Sequence, residues 1–179
     1  MLVAGRPIYR MPLTALCTAS AEWSGDAPEL LEGSWNMKVM SVIGFVLMGG
    51  GIVALIVTRT IVSPFLPVIV LQVFAFILML WARYTFGSRS FHLSADPTEG
   101  GLVTTGPFRF VRHPIYTAVC IFVWAAVLGS PSFQTFLFAV VVSIGAVMRI
   151  FCEEHLLVQQ YPEYTNYARK TKRMIPFVF

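Results

Sequence analysis

The sequence predicts an all-α integral membrane protein with four transmembrane helices. Three observations carry that prediction: an apolar composition, four long apolar runs, and a one-sided placement of positive charge. Of 179 residues, 56% are hydrophobic and only 12% are charged. Mean hydropathy is +0.72, too apolar for a soluble domain of this size. Four spans put the leader, the long middle connection and the tail on one side. That side then holds every Lys and Arg of the 13 except Arg59, counting Arg149 at the end of the fourth helix. This is a positive-inside pattern, and it places both termini in the cytoplasm. Five spans would put the basic tail opposite the basic connection. The formal charge of +4 therefore speaks of topology and anionic headgroups. The basic residues are scattered and no nucleic-acid-binding motif accompanies them.

Residues 1–36 form a leader, expected to be flexible and to carry no chemistry; 37–179 form the membrane domain. The leader's basic start, its short apolar run and Ala19-Ser20-Ala21 resemble a secretory signal, but Pro12, Thr14 and Thr18 weaken that run. Met37-Lys38 would also begin an ordinary membrane protein. The first span is 39–58, about 20 residues, enough to cross ~30 Å of hydrocarbon. Its Gly44 and Gly49-Gly50-Gly51 suit either close helix approach or a flexible, kinked helix. Arg59 and Pro64 mark a turn, and 64–82 is the second span, with Pro64 and Pro67 near its first turn. Residues 83–112 form a long polar connection with turn chemistry at Asp96-Pro97-Thr98-Glu99-Gly100-Gly101. The third span, 115–128, and the fourth, 133–150, are joined tightly by Gly129-Ser130-Pro131-Ser132, so they are antiparallel neighbours. The fourth runs on as helix through Gln160, and an aromatic, basic tail follows.

Charges are costly in a bilayer, so polar clusters at membrane helix ends mark working sites. Arg112-His113-Pro114 opens the third helix, and Arg149 and Glu153 lie at the end of the fourth on the same side. Arg149 and Glu153 are i and i+4 and share one helix face. They form either a simple intrahelical ion pair or a clamp for a zwitterion, Arg149 gripping a carboxylate and Glu153 accepting from an ammonium or hydroxyl. Cys152, Glu153, Glu154 and His155 are adjacent on a helix and point in different directions, which disfavours a metal site. Cys17, Cys120 and Cys152 form neither a disulfide framework nor a zinc pattern, and Cys120 reads as packing. Arg109 and Arg112 read equally as binders of headgroups or an acidic substrate and as flanking positive charge.

Leu102-Val103, Gly106-Pro107-Phe108, Arg112-His113-Pro114 and Tyr116 are followed by Arg149, Glu153-Glu154 and Leu157, then by Tyr161, Tyr164, Tyr167 and Ile175-Pro176. In order and spacing this pattern resembles the isoprenylcysteine carboxyl methyltransferase and phospholipid methyltransferase superfamily, over about residues 70–179. The resemblance implies an S-adenosylmethionine-dependent membrane methyltransferase. Its cofactor pocket would be formed on the cytoplasmic face by the last two helices and the C-terminal segment. It implies backbone contacts to the cofactor from Gly100, Gly101, Leu102 and Val103, and a ring contact from Phe108, where relatives often carry tyrosine. It also implies cofactor contacts from His113 and Glu153, and substrate binding or catalysis by Arg149. That last role competes with the clamp reading, which gives Arg149 to the cofactor carboxylate. Tyr116 and Tyr164 fit pocket walls; Tyr164 and Tyr167 fit interface anchors equally well.

Methyl transfer needs alignment and exclusion of water more than a metal or covalent nucleophile. A carboxylate or thiolate acceptor needs no base, so His113 reads as a binding residue before a general base. The acceptor is lipophilic or membrane-delivered: an isoprenylcysteine-like carboxylate, a phospholipid amine, a polyprenyl compound or a small thiol. Two other classes share the pattern of polar helix ends, a membrane reductase using a nicotinamide cofactor and a non-enzymatic assembly or lipid-binding protein. The topology suits a bacterial inner membrane, and the glycine run permits oligomerisation without demanding it.

Overall fold

Hydrophobic helices of membrane proteins satisfy their own backbone and leave only side-chain packing to assemble them. A computed structural model describes residues 27–87 and 102–175 in this way, with side chains from Asn36 onward. The helices are α1 (Ala27–Val57), α2 (Leu66–Phe86), α3 (Pro114–Gly129), α4 (Phe133–Gln160) and α5 (Tyr164–Lys170), with a 3-10 turn at Gly106–Arg109. Contacts divide the chain into Met1–Trp35 and Asn36–Phe179, and the packing below is that of the second unit.

Among the described residues, three helices are long and apolar enough to cross a membrane: Asn36–Val57, Leu66–Phe86 and Phe133–Gln160. α3 is apolar but has only 16 residues. At a rise of ~1.5 Å per residue that is about 24 Å, short of the ~30 Å core. The described residues thus give three full-length candidate spans plus one shorter apolar helix, at the places of the four apolar runs of the sequence. Helix boundaries also outrun the apolar runs. α1 is helical from Ala27, with Pro28 in its first turn, because hydropathy marks lipid burial and not helix start. α2 continues past residue 82 through Arg83 to Phe86 and stops at Gly87, whose φ of 71° suits glycine.

The tight α3–α4 turn is fixed by Ser132, whose Oγ accepts from the Thr135 amide at 3.1 Å, an N-cap. It packs on the α1–α2 turn: a Cβ on Gly129 would lie 2.4 Å from Ser63 Cβ. Gln72 Nε2 donates to the Ile61 carbonyl at 2.6 Å in the same region.

α1 and α4 cross antiparallel at almost backbone contact. A Cβ on Gly145 would sit 2.5 Å from the Gly44 carbonyl oxygen, and one on Gly51 2.6 Å from Val142 Cγ2. Gly49 and Gly50 face open space. Of the glycines at 44, 49, 50 and 51, Gly44 and Gly51 serve close approach and the other two do not. The core around this crossing is made of Leu55, Val123, Ala139 and Val142. Nearer the polar end a second cluster joins Tyr116, Ala146, Ile150 and Met174.

The tail returns to the start of α3. The Arg112 amide donates to the Lys172 carbonyl at 2.8 Å and the His113 amide to the Arg173 carbonyl at 2.9 Å. Thr117 Oγ1 donates to the Met174 carbonyl at 3.0 Å.

The crossing makes a direct prediction. Gly145→Ala must push α1 away from α4, so overpacking of about 1–3 kcal/mol outweighs its helix-propensity gain. Thermal unfolding in detergent is expected to show a clear fall in Tm for Gly145→Ala and none for Gly50→Ala. Equal melting of the two variants contradicts the crossing.

Candidate functional site

Two neighbouring carboxylates organise the polar end of the bundle. Consecutive residues on a helix point about 100° apart, and Glu153 and Glu154 accordingly face different partners.

Glu154 faces the loop and the tail. Its Oε1 accepts from Arg112 Nε at 2.8 Å and its Oε2 from Arg173 Nε at 2.8 Å. His113 Nε2 lies 3.3 Å from Oε1. Arg112 reaches further, donating through Nη1 to the carbonyls of Ala168 at 2.7 Å and Thr171. It thereby satisfies the C-terminal end of α5, where a cation is favoured. One carboxylate thus ties together α4, the start of α3, α5 and the tail.

Glu153 faces the bundle. Its Oε1 accepts a short hydrogen bond from the Tyr116 hydroxyl and another from Arg149 Nη2 at 3.2 Å. Arg149 Nε in turn donates to the Tyr116 oxygen at 2.7 Å. Arg149 Nη1 lies 3.4 Å from the Ser41 carbonyl of α1, which the Gly44–Gly145 contact brings within reach. Glu153 Oε2 has His113 Nδ1 at 3.7 Å, beyond ordinary hydrogen-bond length. Side-chain exposure separates the members: 23% for Glu153, against 7% for Arg149 and 6% for His113. Glu153 is therefore the member most open to a ligand.

The structure brings together His113, Tyr116, Arg149 and Glu153. Leu102 and Val103 are half-buried and outside any helix. Gly100 and Gly101 lie outside the described residues. Phe108 is buried in the 3-10 turn with its ring 5.6 Å from that of Phe86, and its carbonyl accepts from the Tyr167 hydroxyl at 2.5 Å. Tyr164 is 2% exposed, and its ring meets Tyr167 edge-on at 6.0 Å. Tyr164 is an interior residue, against the interface-anchor alternative for it, while Tyr167 is half-buried. Burial pushes the Tyr167 phenol up to about 12. Burial, with the Glu154 charge nearby, raises Tyr164 beyond that. Both phenols stay neutral at physiological pH.

Arg112 corrects the reading that paired it with Arg109. Arg109 is exposed, its guanidinium 4.5 Å over the Phe110 ring, as a flanking charge would be. Arg112 is an internal tie. Glu154 and Arg173 were not among the expected site residues. The sequence shows the Glu153-Glu154 doublet, and the resemblance implies a C-terminal segment beside the last two helices, but neither shows which tail residue meets Glu154.

These features define a helical membrane protein with a built charge network at one bundle end. The chain belongs to the phospholipid methyltransferase family, which matches residues 65–164, and so to the wider isoprenylcysteine carboxyl methyltransferase and phospholipid methyltransferase superfamily. The match runs from the start of α2 into α5 and leaves α1 outside. Two curated relatives are similar to parts of it. The nickel-cobalt-cadmium resistance protein NccN of Alcaligenes xylosoxydans xylosoxydans is 41% identical over 101 residues, 54% of this chain and 42% of that protein. The cobalt-zinc-cadmium resistance protein CzcN of Cupriavidus metallidurans is 35% identical over 78 residues, 42% of this chain and 35% of that protein. The matched region covers less than half the length of either relative. No solved structure matches the chain.

Arg112 and Arg109 carry the same charge and differ only in place. Arg112→Met leaves Glu154 short of a buried partner, a loss of about 3 kcal/mol, whereas Arg109→Met is expected to be nearly neutral. Limited proteolysis of the detergent-solubilised chain should cleave the 161–175 segment markedly faster in Arg112→Met alone. Equal cleavage rates in both variants contradict the tie.

Proposed function

We propose that this chain transfers a methyl group from S-adenosylmethionine to a lipophilic or membrane-delivered acceptor, of which an isoprenylcysteine-like carboxylate is one candidate. The family supports methyl transfer in a membrane. The observation that carries the cofactor is the Glu153 carboxylate. It is partly open and anchored through Oε1 by Tyr116 and Arg149, while Oε2 lies 3.7 Å from His113 Nδ1 and takes no hydrogen bond among the described residues. A half-satisfied carboxylate at a polar mouth fits the ammonium or ribose hydroxyls of such a cofactor.

S-adenosylmethionine, when bound, supplies a methyl group on a positively charged sulfur. The chain's own residues then bind, orient and exclude water. Glu153 accepts from the cofactor's polar groups, and Tyr116 and Arg149 hold it in one rotamer. His113, between the two carboxylates, contributes a polar edge and fixes the start of α3. Leu102 and Val103, with Gly100 and Gly101, supply backbone along the loop, and Phe108 and Tyr164 supply rings. Arg149 is engaged by Tyr116, Glu153 and Ser41, which favours an orienting role or a contact with an acceptor's anionic group. Charge asymmetry supports a cytoplasmic position for this end, in an arrangement suited to a bacterial inner membrane, where a soluble cofactor reaches it.

Calorimetry on detergent-purified protein tests this, with NADPH in parallel. S-adenosylmethionine should bind, and Glu153→Gln should weaken it at least about tenfold, ~1.4 kcal/mol. Binding of NADPH instead would overturn the proposal in favour of a reductase; binding of neither would favour a non-enzymatic role.

A further inference from the structure

Helix α1 lies outside the family-matched segment 65–164, yet it approaches the network directly. The Phe45 ring stands 5.3 Å from the Arg149 guanidinium carbon, and the Ser41 carbonyl lies 3.4 Å from Arg149 Nη1. Arg149 is 5% exposed, whereas Phe45 is 40% exposed. Phe45 is exposed on apolar α1, next to the more exposed Val46. In a spanning helix such side chains meet lipid.

We infer that Phe45 is a positioning residue of the site: its ring face holds the Arg149 guanidinium and separates it from the hydrocarbon. The physical reasons are two. A guanidinium facing lipid is costly unless something covers it, and an aromatic face both covers and attracts a cation. The geometry explains why α1 must come so close: without the Gly44–Gly145 contact, neither the ring nor the Ser41 carbonyl reaches Arg149. A lipophilic acceptor approaching Arg149 from the lipid side of α1 therefore meets Phe45 before the charge. That last consequence rests on the proposed function; the shielding of Arg149 does not.

Phenylglyoxal, a lipophilic reagent for arginine, tests the shielding without any turnover. The full-length chain in phosphatidylcholine nanodiscs is labelled and the adducts are located by mass spectrometry, with exposed Arg109 as internal standard. Wild type and Val46→Ala should leave Arg149 protected. Phe45→Ala and Phe45→Leu should raise its labelling about fivefold or more, the size of a cation–π contact. Phe45→Trp should restore protection. If Leu protects as well as Phe, or if wild-type Arg149 is already labelled like Arg109, the inference is overturned. Should Phe45→Ala fail to fold, the Leu and Trp variants decide alone. S-adenosylmethionine affinity measured on the same wild-type nanodiscs separates the two readings: no binding there sinks the proposed function and leaves the labelling result standing.

Discussion

The Glu154 carboxylate cannot stay charged in a nearly closed setting without partners, and the polar end of this protein is arranged around giving it three. Removing a charge from water costs several kcal/mol. Arg112, His113 and Arg173 answer that cost from two chain segments far apart in sequence. Once they converge, the tail lies along the entry to α3, and the backbone bonds from Arg112 and His113 follow. His113 is then fixed between the two glutamates. The nearby Glu153 inherits a rigid setting without being consumed in it.

The second constraint acts from the membrane side. Helices in lipid gain little from hiding apolar surface and associate through close packing. Gly44 against Gly145 gives that closeness, and it has a chemical consequence: α1 brings a carbonyl and an aromatic ring to Arg149. A guanidinium buried in this way is oriented before any ligand arrives, which is what an alignment-driven reaction such as methyl transfer requires. Tyr116 passes that orientation to Glu153 by donating to the carboxylate and accepting from the guanidinium.

Much of this was legible in the sequence, and what was not has a common cause. Apolar runs located the helices because lipid selects for composition, but α1 and α2 extend beyond their runs because helicity does not require apolarity. Arg149 and Glu153 could be paired from spacing alone, since i and i+4 fix their geometry. Nothing local distinguishes Arg112 from Arg109, or Gly44 from Gly50; the difference lies in segments 40 to 100 residues away. The role of Glu154 is not local either, because its partners include a residue in the tail. Tyr164 fits a pocket wall and an interface anchor equally well in the sequence, and it packs inside. The expected loop contacts at Gly100 and Gly101 fall outside the described residues.

The division of labour between the two glutamates is the central claim, and ligand-dependent melting of two variants tests it most directly. Tm is measured for wild type, Glu153→Gln and Glu154→Gln, each with and without saturating S-adenosylmethionine. The account predicts that Glu153→Gln melts closer to wild type than Glu154→Gln but loses the ligand-induced rise, while Glu154→Gln melts well below wild type and still rises when the ligand is added. The reverse pattern, with Glu153 carrying the stability and Glu154 the ligand response, would contradict it.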